Sequence, residues 1–89
     1  MRNENKLLAI LPALNMFKQI QEALNQKDVD EFNIKRIIGD YNENATYLSC
    51  TGTVIKTENP DDIRVYIQFT YDASFMIQVN KDGWTSFWT

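Results

Sequence analysis

The sequence predicts one α+β domain, residues 1–89, in which an N-terminal amphipathic helix and a short second helix pack on a four-stranded antiparallel meander. Three observations support this fold class. Apolar residues recur every three or four positions near the N-terminus, they alternate with polar residues from Ile63 onward, and short turn-forming segments separate the alternating runs. A chain of 89 residues can bury one hydrophobic core.

The first helix is predicted over residues 3–26. Polar side chains fill one side of it, and its apolar residues share the other: Leu7, Ile10, Leu11, Leu14, Phe17, Ile20 and Leu24. Pro12 lacks an amide donor and crowds the preceding turn, so it either bends this helix or opens it after a short first turn. The bend is favoured, because the apolar face keeps its phase through the proline.

The second helix is predicted between residues 27 and 39. Asp28 suits its N-cap, and Gly39 suits its end because glycine tolerates positive φ. Part of the segment alternates apolar and polar residues, as an edge strand would. The adjacent pair Ile37-Ile38 breaks that alternation and favours the helix, and residues 40–44 then form a polar loop.

The four strands are predicted at 45–57, 63–71, 74–80 and 84–89, with a break at Asp72-Ala73. Gly52 indicates a bulge or a close approach of another element. Cys50, the single cysteine, falls on the apolar side of its strand in the alternating pattern, so we predict that it is a small buried residue. It cannot form an intrachain disulfide, which favours a reducing compartment.

The final hairpin decides which side of the sheet the tryptophans occupy. A type I turn closed by a glycine bulge would place Phe87 with the core. Trp84 and Trp88 would then share the opposite face with Met76 and with Tyr66 of the neighbouring strand. This register predicts a partly exposed aromatic surface.

A second register is also compatible with the sequence. If Asp82-Gly83 is a two-residue turn, Trp84 lies opposite Lys81 and Trp88 lies beside Ile77 in the core. Under this alternative, at least one tryptophan serves packing and needs no functional explanation.

Composition argues against several classes of function. The net charge is −3, and the basic residues are scattered along the chain, whereas nucleic-acid binders usually cluster them. The chain has no histidine and no recognisable nucleophile, phosphate-loop or calcium-loop motif, so we predict no catalytic residues, no cofactor and no metal. We also predict no membrane span, no signal peptide and a cytoplasmic location, since the apolar run at 7–14 is short.

These observations favour a noncatalytic protein-binding module. Tryptophan and tyrosine are frequent in binding hot spots, so the candidate protein-binding residues are Tyr66, Met76, Trp84 and Trp88. The acidic balance would suit a basic partner. Small size without catalytic motifs would fit an inhibitor of a host protein machine, encoded by a phage or mobile element.

Two alternative functions stay open. The C-terminal strand could be an unprotected sheet edge, through which the chain forms a homodimer or larger homo-oligomer. The other alternative is the binding of a small ligand in a pocket between the helix and the curved sheet. It rests on analogy with similar helix-on-sheet folds.

Overall fold

A computed structural model of the protein describes residues 11–45, 49–70 and 75–88, without the side chain of Trp88. It confirms the α+β fold, with two helices packed on a four-stranded antiparallel sheet in the order β1-β2-β3-β4. The helices are α1 (Leu14–Leu24) and α2 (Glu31–Asn44), and the strands are β1 (Cys50–Lys56), β2 (Ile63–Phe69), β3 (Phe75–Asn80) and β4 (Gly83–Trp88). Neither of these helices is long and apolar enough to cross a membrane. The predicted features at residues 3–10, 46–48, 71–74 and 89 lie outside the described residues.

Helix α1 is amphipathic and contacts β3 and β4. Its buried residues recur at helical spacing: Met16, Phe17, Ile20, Ala23 and Leu24. Around Pro12 the backbone forms a 3₁₀ turn, Leu11–Ala13, that leads into α1, which confirms the predicted irregularity at the proline. At the other end, the side-chain amides of Gln21 and Asn25 donate to the Lys81 carbonyl oxygen at 3.3 and 2.8 Å. These bonds tie the end of α1 to the turn between β3 and β4.

Helix α2 confirms the helical interpretation of the second segment but has different ends. Its N-cap is Asp30, whose carboxylate accepts a hydrogen bond from the Phe32 amide at 3.0 Å, so the prediction of Asp28 as the cap is wrong. The helix then continues through Gly39, its predicted end, and through the predicted loop at 40–44.

Contacts beyond Gly39 explain this extension. A glycine inside a helix costs only about 1 kcal/mol relative to alanine. Tyr41, in the next turn, packs against the core cluster. Beside it, the side-chain amide of Asn42 bonds both backbone groups of Cys50, accepting from its N–H and donating to its carbonyl oxygen, each at 2.8 Å. The tertiary contacts of this turn therefore outweigh the local preference of glycine.

Strand β1 pairs with β2 in a continuous register from Cys50 opposite Phe69 to Lys56 opposite Ile63, so Gly52 forms no bulge. The alternative prediction for Gly52, a close approach, is confirmed. A Cβ atom at this position would overlap with Cδ1 of Ile38 in α2. The absence of a side chain at Gly52 lets α2 lie directly on β1.

The core lies between the two helices and one face of the sheet. Its largest fully buried side chains are Phe17, Ile20, Ile34, Ile67, Ile77, Val65 and Val79. On β2 and β3, buried residues alternate with half-buried ones, as the period of two predicts. Only one face of the sheet is covered by the described helices.

Cys50 is buried at the start of β1, with 3% of its surface exposed, as predicted. Burial raises the pKa of its thiol to about 11 from 9.0. Because the thiolate is the nucleophile, we expect a thiol reagent such as DTNB to label the native protein slowly near neutral pH and to label the urea-unfolded protein rapidly. Equal labelling rates in the two states would contradict the burial of this thiol.

The same pKa shift predicts a loss of stability at alkaline pH. The folded-state pKa lies above the unfolded value, so between about pH 9 and 11 the folded state retains a proton that the unfolded state has lost. The free energy of unfolding should therefore fall as the pH rises through this window. Tyr41 adds to the trend, because burial and, second, the nearby Cys50 raise its pKa. A Cys50→Ala variant, compared with the parent in urea titrations at several pH values, should lose part of this dependence.

Candidate functional site

The described helices leave the opposite face of the sheet uncovered. We call it the open face. It comprises Thr51, Thr53, Ile55, Arg64, Tyr66, Gln68, Met76, Gln78, Asn80, Thr85 and Phe87. These residues are half-buried or exposed, and their in-strand neighbours on β2 and β3 are buried in the core, apart from half-buried Ile63.

The open face is poor in charge, although 24% of the whole chain is Asp, Glu, Lys or Arg. Its one residue of those four types, Arg64, is paired at the end of β2, where its Nε and Nη2 donate to the two carboxylate oxygens of Asp62 at 3.1 Å each. The pKa of Asp62 is lowered chiefly by its hydrogen bond from Arg64. The pKa of Arg64 is raised by its hydrogen bonds to Asp62 and, second, to Tyr66. The ion pair is thus confined to one margin of a neutral surface.

Apolar and aromatic side chains lie next to one another across the strands of the open face. Met76 on β3 is directly opposite Phe87 on β4, and 41% of the surface of Phe87 is exposed. Tyr66 on β2 lies between Thr53 and Gln78 of the two adjoining strands. The surface therefore combines large side chains with neutral hydroxyl and amide groups.

The structure separates the four predicted binding residues. Tyr66 and Met76 lie on the open face, as the alternation of β2 and β3 predicted. Trp84 does not, because it is paired with the buried Val79 and its ring packs on Phe17 of α1, with ring centroids 5.3 Å apart. The prediction that Trp84 shares a face with Met76 is therefore wrong. The backbone of Trp88 pairs with Phe75, and its side chain lies outside the described residues.

Neither predicted register of the last hairpin is observed: the bulged register differs from the actual pairing by one residue and the Asp82-Gly83 turn by two. The loop consists of Lys81 and Asp82, and Asn80 is paired with Gly83. The side chain of Asn80 accepts a hydrogen bond from the Asp82 amide at 2.8 Å, which supports this turn. Gly83 has φ +149°, a value that residues with a side chain rarely adopt.

The shift exchanges the expected positions of the aromatic residues on β4. Phe87, predicted for the core under the bulged register, lies on the open face, whereas Trp84 lies on the helix side. The signal that could have indicated this register is Asn80, because an asparagine side chain can bond the amide two residues later and so start the turn one position earlier.

Apart from the open face, a concavity lies between the two helices. It has a volume of about 450 Å³ and is lined by residues of both helices and of the turn before α1, including Pro12, Met16, Ile37 and Tyr41. Between α1 and the sheet, the side chains of Phe17, Ile67 and Ile77 are fully buried. Among the described residues, no group of three or more Cys, Asp or Glu side chains could hold a metal ion.

Comparisons with protein-family models, curated proteins and solved structures found no match to the chain.

Proposed function

We propose that this protein is a noncatalytic protein-binding module and that the open face contacts its partner. The observation that supports this proposal is the contrast in composition between the open face and the rest of the chain. The buried centres of protein interfaces are depleted in charged residues and enriched in aromatic residues, Met and Arg. The open face has that composition, with Tyr66, Met76 and Phe87 beside a single paired arginine.

The open face is also well suited to rigid recognition. Its side chains project from paired strands, so binding would order little backbone. The Met76 and Phe87 pair offers adjacent apolar groups that a partner can cover, and Tyr66 lies on the adjoining strand beside Gln78. Aromatic side chains surrounded by neutral contacts are typical of binding hot spots.

The partner that fits this surface carries a neutral apolar patch. The acidic residues of the described chain lie on the helices and turns instead, for example Asp28, Glu43, Asp61 and Asp82. A basic partner, which the net charge favours, would therefore be attracted at long range by these groups while its neutral patch made the contact.

Substitution of Phe87 tests the proposal. With tagged protein and a lysate of the host cell, we expect the parent to capture a partner and Phe87→Asp to lose it, because the variant buries a charge in the contact. Met76→Asp should have the same effect. Thermal melts of each variant show whether it is folded.

Phe32→Asp is the matched control. Phe32 lies on α2 with 79% of its surface exposed, so it is as accessible as Phe87 but away from the open face. The control should retain the partner. Capture that survives both open-face variants, or that only Phe32→Asp abolishes, would contradict the proposal. The inhibitor role and the cytoplasmic location remain predictions, and the identity of the captured protein would test both.

A further inference from the structure

The two edges of the sheet differ in how they are protected. At the β1 edge, the Asn42 side chain forms hydrogen bonds with both backbone groups of Cys50, the first residue of the strand. At the other edge, no described side chain forms a hydrogen bond with the outer backbone groups of β4. An unpaired strand edge presents a row of donors and acceptors to any chain that can pair with it.

The hydrogen-bond alternation of the sheet shows which groups of β4 point outward. The Thr70 amide donates to the Ser49 carbonyl oxygen at 3.0 Å, which fixes the phase of the β1–β2 ladder. Backbone N–H and C=O groups of successive residues point to alternate sides of a strand. When this alternation is applied to the pairing of β1 with β2, β2 with β3 and β3 with β4, the N–H and C=O groups of residues 83, 85 and 87 point toward β3. The backbone groups of Trp84, Ser86 and Trp88 therefore point away from the sheet.

Strand β4 lacks the features that usually prevent edge pairing. Its sequence, Gly83–Trp88, contains no charged residue and no proline, and it pairs with β3 without a bulge. Large side chains lie on both of its faces, since Trp84 is 39% exposed on the helix side and Phe87 is 41% exposed on the open face. A second strand alongside β4 would cover part of both.

We propose that β4 pairs with β4 of a second copy of this chain, antiparallel and about a two-fold axis through Ser86. The residues whose backbone groups point outward are spaced symmetrically about Ser86. The axis therefore pairs Ser86 of one copy with Ser86 of the other, and Trp84 of each copy with Trp88 of the other. Each pair can exchange two backbone hydrogen bonds. The strand is uncharged, so the two copies meet without like charges in the paired strands. This self-complementarity favours a second copy over an unrelated strand.

The dimer has a direct structural consequence. A two-fold axis perpendicular to the plane of the sheet joins the two four-stranded sheets into one continuous sheet, with both open faces on the same side. In this register, Thr85 of each copy lies opposite Phe87 of the other, which extends the neutral surface across the junction. The inference does not depend on the proposed function of the open face.

Analytical ultracentrifugation of the full chain, from low to high micromolar concentration, tests the proposal. We expect the mass to rise with concentration to twice the 10.4 kDa of the monomer. Ser86→Pro removes an outward N–H that β3 does not use, and proline is tolerated at such positions of edge strands. Loss of the two bonds across the axis should weaken the dimer by about 10-fold to 100-fold.

Ser86→Val is the matched control, because it changes the side chain but keeps the N–H, and it should still form the dimer. Ser86→Lys places two like charges opposite each other at the axis and should give a monomer, which provides a second test if the proline variant does not fold. A parent chain that stays monomeric at high micromolar concentration would overturn the proposal. So would a dimer that folded Ser86→Pro or Ser86→Lys leaves unchanged, since its interface would lie elsewhere.

Discussion

Replacing Phe17 by alanine is expected to lower the free energy of unfolding by about 3–5 kcal/mol, because it empties a large buried aromatic site. Phe17 is fully buried in α1, and its ring centroid lies 6.4 Å from that of Phe69 and 5.3 Å from that of Trp84. A domain of this length has a total stability of roughly 4–13 kcal/mol. The loss is a large fraction of this total, and urea denaturation followed by tryptophan fluorescence measures it.

Phe32→Ala is the control for this prediction. It makes the same chemical change on α2, at a side chain that is 79% exposed, and should alter the stability by no more than about 0.5 kcal/mol. The native emission of Trp84 should also shift in the Phe17 variant and stay unchanged in the control. Similar stability in the two variants would contradict the packing of α1 on the sheet.

Gly52→Val is expected to destabilise the protein by about 1–3 kcal/mol through overpacking. Valine is favoured in strands, so strand propensity alone predicts the opposite sign. The loss arises because a Cβ at Gly52 would overlap with Cδ1 of Ile38 and would lie 3.4 Å from Cδ1 of Ile67. Thermal and urea denaturation of the variant measure it.

A double-mutant cycle identifies the contact responsible. Ile38→Val removes the Cδ1 atom that a side chain at Gly52 would meet, so the double variant should be more stable than the sum of the two single effects predicts. Thr53→Val, at the neighbouring exposed position of β1, is the matched control and should change stability by no more than about 0.5 kcal/mol. Additive effects at Gly52 and Ile38 would show that the cost arises elsewhere.

The types and order of the described helices and strands follow from the sequence, but the extent of α2 does not. Periodicity identified α1, β2 and β3, since a helix or strand with one buried face repeats its apolar residues with its own geometry. The end of α2 was wrong because Gly39 is a local signal for termination. Tyr41 and Asn42, just beyond it, are held by contacts with the core and with β1, which lie outside the helix.

Two of the four predicted binding residues could be placed on the open face from the sequence alone. Tyr66 and Met76 lie on strands whose alternation is set by their own residues, and both are on the open face. Trp84 and Phe87 could not be assigned, because a one-residue change in a hairpin loop moves every side chain of the following strand to the other face. The loop at Lys81 and Asp82 decided the outcome.

The sequence by itself determined that this chain forms an α+β domain with an alternating sheet, because residues close in sequence set the period of each helix and strand. Only the tertiary structure decided which aromatic residue of β4 is on the open face, how far α2 extends and how the first residue of β1 is hydrogen-bonded. The first depends on how β4 pairs with β3 across a two-residue loop, and the others depend on the packing of α2 against β1. Local periodicity can predict a face for each element, but pairing and packing determine what covers that face.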